Sequence, residues 1–193
     1  MRVVAGTHRG RRIGAPAGTN TRPTSDRVRE AMFSRIDAVI GGIPANTSAL
    51  DLFAGSGALG IEALSRGVSR VTFVERDARA LSVLRDNLEK LELGARSSVV
   101  ASDALHLGKV GTPPGAPFAL LFLDPPYRIN KSEVREVVER LMRSGSLAEG
   151  ALLVWEHGSS DRPEWPSDLE DLGKRRYGDT TVSMSRTGEG GTG

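Results

Sequence analysis

FALLFLDPPY, Phe118 to Tyr127, is the stretch from which the fold is read. Six apolar residues in a row, without polar alternation, suit a strand buried on both faces of a parallel sheet. Pro125 and Pro126 have no N–H to donate, so a central strand cannot run through them. The strand is therefore expected to stop at Asp124. That leaves a carboxylate, two carbonyls without neighbouring N–H groups and the ring of Tyr127 at its carboxyl end. Open α/β sheets bind ligands at that edge.

Outward from this stretch, strands and helices alternate. On the N-terminal side the pattern predicts strands over 49–54, 70–75 and 97–101, with helices over 59–65 and 78–91 between them. On the C-terminal side it predicts a helix over 132–142 and a strand over 151–156. Residues 165–172 read as a short helical or irregular piece, and 174–177 with 180–185 as an antiparallel hairpin around Gly178-Asp179. Such alternation means an α/β fold, a mostly parallel sheet with helices on both faces. Residues 45–186 would form this main domain, and 187–193, rich in glycine, a disordered tail.

Ahead of it, residues 1–40 form an extension. Arg2–Ala5 and Arg11–Ile13 read as two short strands of a hairpin. Residues 14–24 read as a linker, and Thr24 or Ser25 as the cap of a helix with Val28, Met32, Ile36 and Val39 along one stripe. Residues 1–35 hold eight arginines against Asp26 and Glu30, a balance of +6, while the remainder sums to −4. A basic arm on a mildly acidic body points to a polyanionic partner.

The chain has 193 residues and no cysteine. This excludes a disulfide framework, a thiolate metal site and a cysteine nucleophile, and it fits the cytosol. No apolar run approaches the roughly 20 residues of a membrane helix. His106 and His157 show no metal-ligand pattern and read as ordinary loop residues; Trp155 reads as core.

Gly55, Gly57 and Gly60 give the spacing G-x-G-x-x-G directly after the first strand. Glycines there let the backbone approach a ligand at a helix N-terminus. Alone, the spacing suits a nicotinamide dinucleotide or simple packing equally well. Asp51 lies in the strand before the loop. Glu75 ends the second strand, where a carboxylate accepts the hydroxyl hydrogens of a ribose. Asp103 follows the third strand, within reach of an adenine amine. Taken singly, each acid reads as a solvated strand end; with Asp124, four at successive carboxyl edges outline a pocket.

The run DLFAGSGALGIEAL, then Glu75, Asp103-Ala104 and Asp124-Pro125-Pro126-Tyr127, resembles the S-adenosylmethionine-dependent methyltransferases with a seven-stranded Rossmann-like fold. RVVAGTHRGRRI followed by TRPTSDRVREAMF resembles the RsmD family of bacterial 16S ribosomal RNA guanine-N2 methyltransferases. The resemblance implies that Asp51, Phe53, Ala54, Gly55 and Gly57 surround the methionine part of S-adenosylmethionine. Glu75 would hold the ribose, Arg76 would lie beside the adenine, and Asp103 and Ala104 would meet its edge. Thr24 and Arg27 would close over the cofactor carboxylate.

Catalysis would rest on Asp124 and the Pro125 carbonyl accepting the two hydrogens of a base amine, with Pro126 completing the turn and Tyr127 stacking on a flipped base. Arg2, His8, Arg9, Arg11, Arg12 and Arg22 would meet RNA, by resemblance the 16S ribosomal RNA of an assembled or assembling small subunit. The Asp-Pro-Pro-Tyr motif serves adenine N6 and cytosine N4 as well, so a DNA amino-methyltransferase stays open, as does an NAD-dependent oxidoreductase on the glycine spacing. The expected form is a cytoplasmic monomer without metal.

Overall fold

The computed structural model describes residues 1–16, 25–44, 46–109, 111–161 and 163–188. Its strands are β1 (Ser48–Asp51), β2 (Arg70–Glu75), β3 (Ser97–Ala101), β4 (Phe118–Leu123), β5 (Leu147–Gly158), β6 (Leu169–Tyr177) and β7 (Thr180–Thr187). They form one sheet in the order β3-β2-β1-β4-β5-β7-β6. The first five are parallel, and β7 runs antiparallel between β5 and β6. The sheet is mostly parallel with helices on both faces, as the alternation predicts, and seven-stranded and Rossmann-like, as the resemblance implies. The chain winds outward from β1 in one direction and returns to start the other half at β4. The crevice of such a sheet opens at that switch point.

The β4 run explains the layers. Leu120 and Phe122 join one core, while Phe118, Leu121 and Leu123 join the other, and all five are at most 1% exposed. Against the first face pack α1 (Asp26–Ile40), α2 (Ala58–Ser65) and α3 (Ala78–Lys90); against the second packs α4 (Lys131–Arg143). Among the described residues no helix is long and apolar enough to cross a membrane.

Helix α1 begins where Ser25 Oγ accepts the Val28 N–H at 3.2 Å and ends at Gly41, whose φ of 70° is left-handed. Its buried face differs from the expected stripe: Arg29, Met32, Phe33 and Ile36 are buried, and Val28 and Val39 lie at the margin. Phe33 displaces them because its ring fills the space before Phe122, 5.6 Å between centroids.

Three other expectations change. Strand β6 starts at Leu169, so 169–172 is not helical. A register shift between Asp171 and Lys174, with Gly173 at φ 78°, interrupts the alternation that would have announced a nine-residue strand. Strand β5 spans 12 residues, with Gly150 at φ 65°, and carries His157 inside the sheet instead of in a loop. Thr187, expected in the tail, belongs to β7, where its hydroxyl takes the Ala151 N–H at 2.8 Å. Residues 189–193 lie outside the described residues.

Candidate active site

Strand β1 ends at Asp51, beyond which the backbone still bonds sideways: Leu52 N–H to Phe122 O at 3.1 Å and Ala54 N–H to Val74 O at 3.0 Å. The expected strand to Ala54 is therefore a bend that leaves the ladder while staying in the sheet. Gly55 follows with φ 54°, and its N–H donates to Glu75 Oε2 at 2.8 Å. Glu75 Oε1 takes the N–H groups of Arg76 and Asp77, each at 2.8 Å. One carboxylate thus clamps the glycine loop to the end of β2 with three donors.

The glycines divide their work. A side chain on Gly55 would meet nothing within 4 Å, so the loop is open there. A Cβ on Gly57 would stand 2.4 Å from Leu84, and one on Gly60 2.3 Å from Phe73. Gly57 and Gly60 therefore serve the close packing of α2, and Gly57 does not line the cavity. Gly60 has a second role, its N–H donating to Asp51 Oδ2 at 3.0 Å. Asp51 is 1% exposed; burial, with the Glu75 charge added, pushes its carboxyl up to about 7 against that hydrogen bond.

Asp103 behaves oppositely. Burial works against its charge, but the Leu105 N–H at 3.0 Å and the Arg76 guanidinium at 2.6 Å outweigh it and hold the carboxyl below its usual range.

A cavity of about 1370 Å³ joins these groups to Asp124, Pro125, Pro126 and Tyr127. Asp124 follows directly on β4. Burial, then the charges of Glu156 and Asp51, drive its carboxyl well above the usual range. Tyr127 is 74% exposed, a large ring held out at the cavity mouth. Opposite, Asn130 opens α4 in a capping box with Glu133, whose side chain takes the Asn130 N–H at 3.0 Å, and this fixes the loop after the motif.

The arm is fastened to the same region. Val3 N–H bonds Arg11 O and Gly10 N–H bonds Val3 O, each at 2.9 Å, around an Arg2–Arg12 antiparallel bridge. Val3 and Ile13 enter the core. On α2, fully buried Glu62 accepts the N–H groups of Val4 at 2.7 Å and Ala5 at 3.0 Å, and pairs with Arg66 at 2.8 Å and buried Arg29 at 3.5 Å. Arg29 also reaches Asp26 at 2.9 Å and the Arg2 carbonyl. Asn87 on α3 bonds both ways with Gly14 and donates to Ser56 O at 2.9 Å, tying the end of the arm to the glycine loop.

Of the residues expected at the site, Asp51, Phe53, Ala54, Gly55, Glu75, Arg76, Asp103, Ala104 and the Asp-Pro-Pro-Tyr run line one cavity. Arg27 does not: it is exposed and outside the lining, which its neighbours Ser25 and Val28 join instead. Arg2, Arg9, Arg11 and Arg12 are exposed and His8 is half-buried; Arg11 spends one nitrogen on Lys90 O at 2.8 Å. Thr24 and Arg22 lie outside the described residues.

Glu156 and His157 are among the lining residues that were not foreseen at the site. Glu156 is 8% exposed and stands beside Asp124, since β4 and β5 pair Leu123 with Trp155. An acid near the end of the fifth strand obeys the rule that singled out the other four. His157 follows; burial lowers its basicity, and its ring contacts Gly158 O at 2.8 Å and Ser183 Oγ at 2.9 Å.

The family described as conserved hypothetical protein 95 matches residues 1–186. The putative rRNA methyltransferase YlbH of Bacillus subtilis is 39% identical over 95% of this chain and 97% of its own length. The ribosomal RNA small subunit methyltransferase D of Escherichia coli K12 is 39% identical over 81% of this chain and 74% of its own. The solved structure of the putative methyltransferase yhhF from Escherichia coli superposes with a TM-score of 0.79 at 32% identity, covering 97% of this chain and 98% of that one.

Proposed function

This chain belongs to the RsmD family, described as conserved hypothetical protein 95, and on that premise we propose that it transfers a methyl group from S-adenosylmethionine to the exocyclic N2 of a guanine in the 16S ribosomal RNA of the small subunit. The observation that carries this reading is the convergence of Asp124-Pro125-Pro126-Tyr127 and the acid-flanked glycine loop on one cavity.

The residues fit the cofactor by their chemistry. Asp51 and Glu75 present carboxyl groups to a cationic ligand, and Glu75, although engaged with three N–H groups, keeps lone pairs for ribose hydroxyls. Asp103 and Arg76 form the wall where an adenine edge would lie. S-adenosylmethionine, when bound, supplies an electrophilic methyl on a sulfonium. Everything else falls to the chain.

The amine of a base is a weak nucleophile because its lone pair is delocalised into the ring. Asp124 and the Pro125 carbonyl accept its two hydrogens, turn the lone pair out of the ring plane, and stabilise the positive charge that grows on nitrogen. The raised Asp124 carboxyl suits it to take the proton released afterwards. Tyr127, extended at the mouth, stacks on the base once it has left its helix or loop. Residues 1–40 contribute exposed arginines toward RNA phosphates, while residues 45–186 hold the transfer site.

The test is transfer of labelled methyl to small subunits that lack the mark, followed by mapping of the modified nucleotide. A single labelled guanine N2 is expected. Label on duplex DNA with none on the subunit would overturn the reading.

A further inference from the structure

Asp-Pro-Pro-Tyr holds an amine but does not name the base that carries it. We infer that Glu156 names it, by accepting the N1–H of guanine while Asp124 and Pro125 hold N2. This rests on the proposed transfer to guanine N2.

The geometry begins with the sheet. Strands β4 and β5 are parallel neighbours, Leu123 is paired with Trp155, and Asp124 and Glu156 are the next residues on each. Adjacent strands lie roughly 4.8 Å apart. Both residues line the same cavity at the same sheet edge. Glu156 is 8% exposed, near the end of a strand whose inner residues are buried. The two side chains are close enough that Glu156 is the strongest charge acting on Asp124.

Guanine alone among the bases presents two adjacent donors of this kind, N1–H and the N2 amine, on one edge. Two acceptors from neighbouring strands match that edge. Adenine offers the lone pair of N1 beside its amine, and cytosine the lone pair of N3. Either would face the Glu156 carboxylate with repulsion and with no hydrogen to give. The same group thus attracts guanine and rejects the other two amino bases.

The experiment compares guanine with 2-aminopurine, which keeps the N2 amine but has a bare lone pair at N1. Small subunits are reconstituted with 16S RNA carrying one or the other at the mapped target. The parent protein is expected to favour guanine by about 10- to 100-fold in kcat/KM. Glu156→Gln, whose amide can donate to a bare N1, is expected to lose about 10- to 100-fold on guanine and to accept 2-aminopurine as well as guanine or better. S-adenosylmethionine binding by the variant, measured by calorimetry, should match the parent.

Equal use of both bases by the parent protein overturns the inference without reference to any variant. So does Glu156→Gln losing both substrates in equal proportion, or keeping the parent preference. A parent protein that leaves every guanine of the natural subunit unmethylated removes the proposed function itself, and this shows before the analogue is used.

Discussion

The two halves of the cavity floor treat carboxylates in opposite ways. Beside β2 and β3, Glu75 holds three backbone N–H groups, and Asp103 holds a backbone N–H and a guanidinium. Their partners are built in. Beside β4 and β5, Asp124 and Glu156 are crowded together, and the Asp124 carboxyl is forced upward by burial and by its neighbour. The first half is assembled before any ligand arrives; the second keeps, at Asp124, a demand for donors that a substrate can meet. A preformed half suits a cofactor that returns in every cycle. A carboxyl in want of donors suits an amine whose hydrogens must be held only during reaction.

The strongest way to break this contrast is Asp124→Ala. Methyl transfer should fall by about 100- to 1000-fold in single turnover, with S-adenosylmethionine affinity near the parent value by calorimetry. Transfer at near-parent rate would erase the distinction between the halves. The reciprocal change, Glu75→Ala, frees the N–H groups of Gly55, Arg76 and Asp77. Cofactor affinity is expected to weaken by on the order of 100-fold as the loop loses its clamp, since hydrogen bonds to a charged group are worth about 1.5–3 kcal/mol each.

Asp51 stands between the halves, and pH sharpens its part. Its folded carboxyl lies at about 7, above the ordinary 3.8, so the folded protein binds more protons than the unfolded chain between these values. Stability of the free protein should therefore fall as pH rises from about 4 to 7, by at most about 4 kcal/mol, and level off above. Asp51→Asn, which still accepts from Gly60, should flatten that slope in denaturant titrations. The same variant should remove the rise in cofactor affinity expected as the parent Asp51 ionises.

The smallest effect concerns the arm. Replacing Arg9, Arg11 and Arg12 by Ala should lower the salt slope of RNA binding by about 0.7 for each phosphate no longer neutralised. Because Arg11 already donates to Lys90 O, the drop should be nearer that of two phosphates than of three. Filter binding across a salt series reads this directly.

Much of the cofactor half is legible in the sequence because its signals are local. Strands β2 and β3 begin and end where they are expected, and an acid stands at or just past the end of each. Legibility fails where a distant partner decides. Nothing near Arg29 announces that it will be buried, since Glu62 on another helix neutralises it. Gly57 looks like a ligand glycine until Leu84 fills the space beside it. The bulge in β6 hides a strand that only β7 reveals. Glu156 is plain to see as an acid near a strand end, yet its importance is set by its register with β4, a strand distant in sequence.

Asn87 gives the last consequence. Its one amide grips Gly14 and Ser56 at once, so the root of the arm and the turn of the glycine loop form a single mechanical joint. If the arm grips RNA as proposed, this amide is a direct route from the arm to the loop that does not pass through the sheet. Two grips that share a joint trade free energy in both directions, so whatever RNA does for cofactor affinity, cofactor must do for RNA affinity by an equal factor.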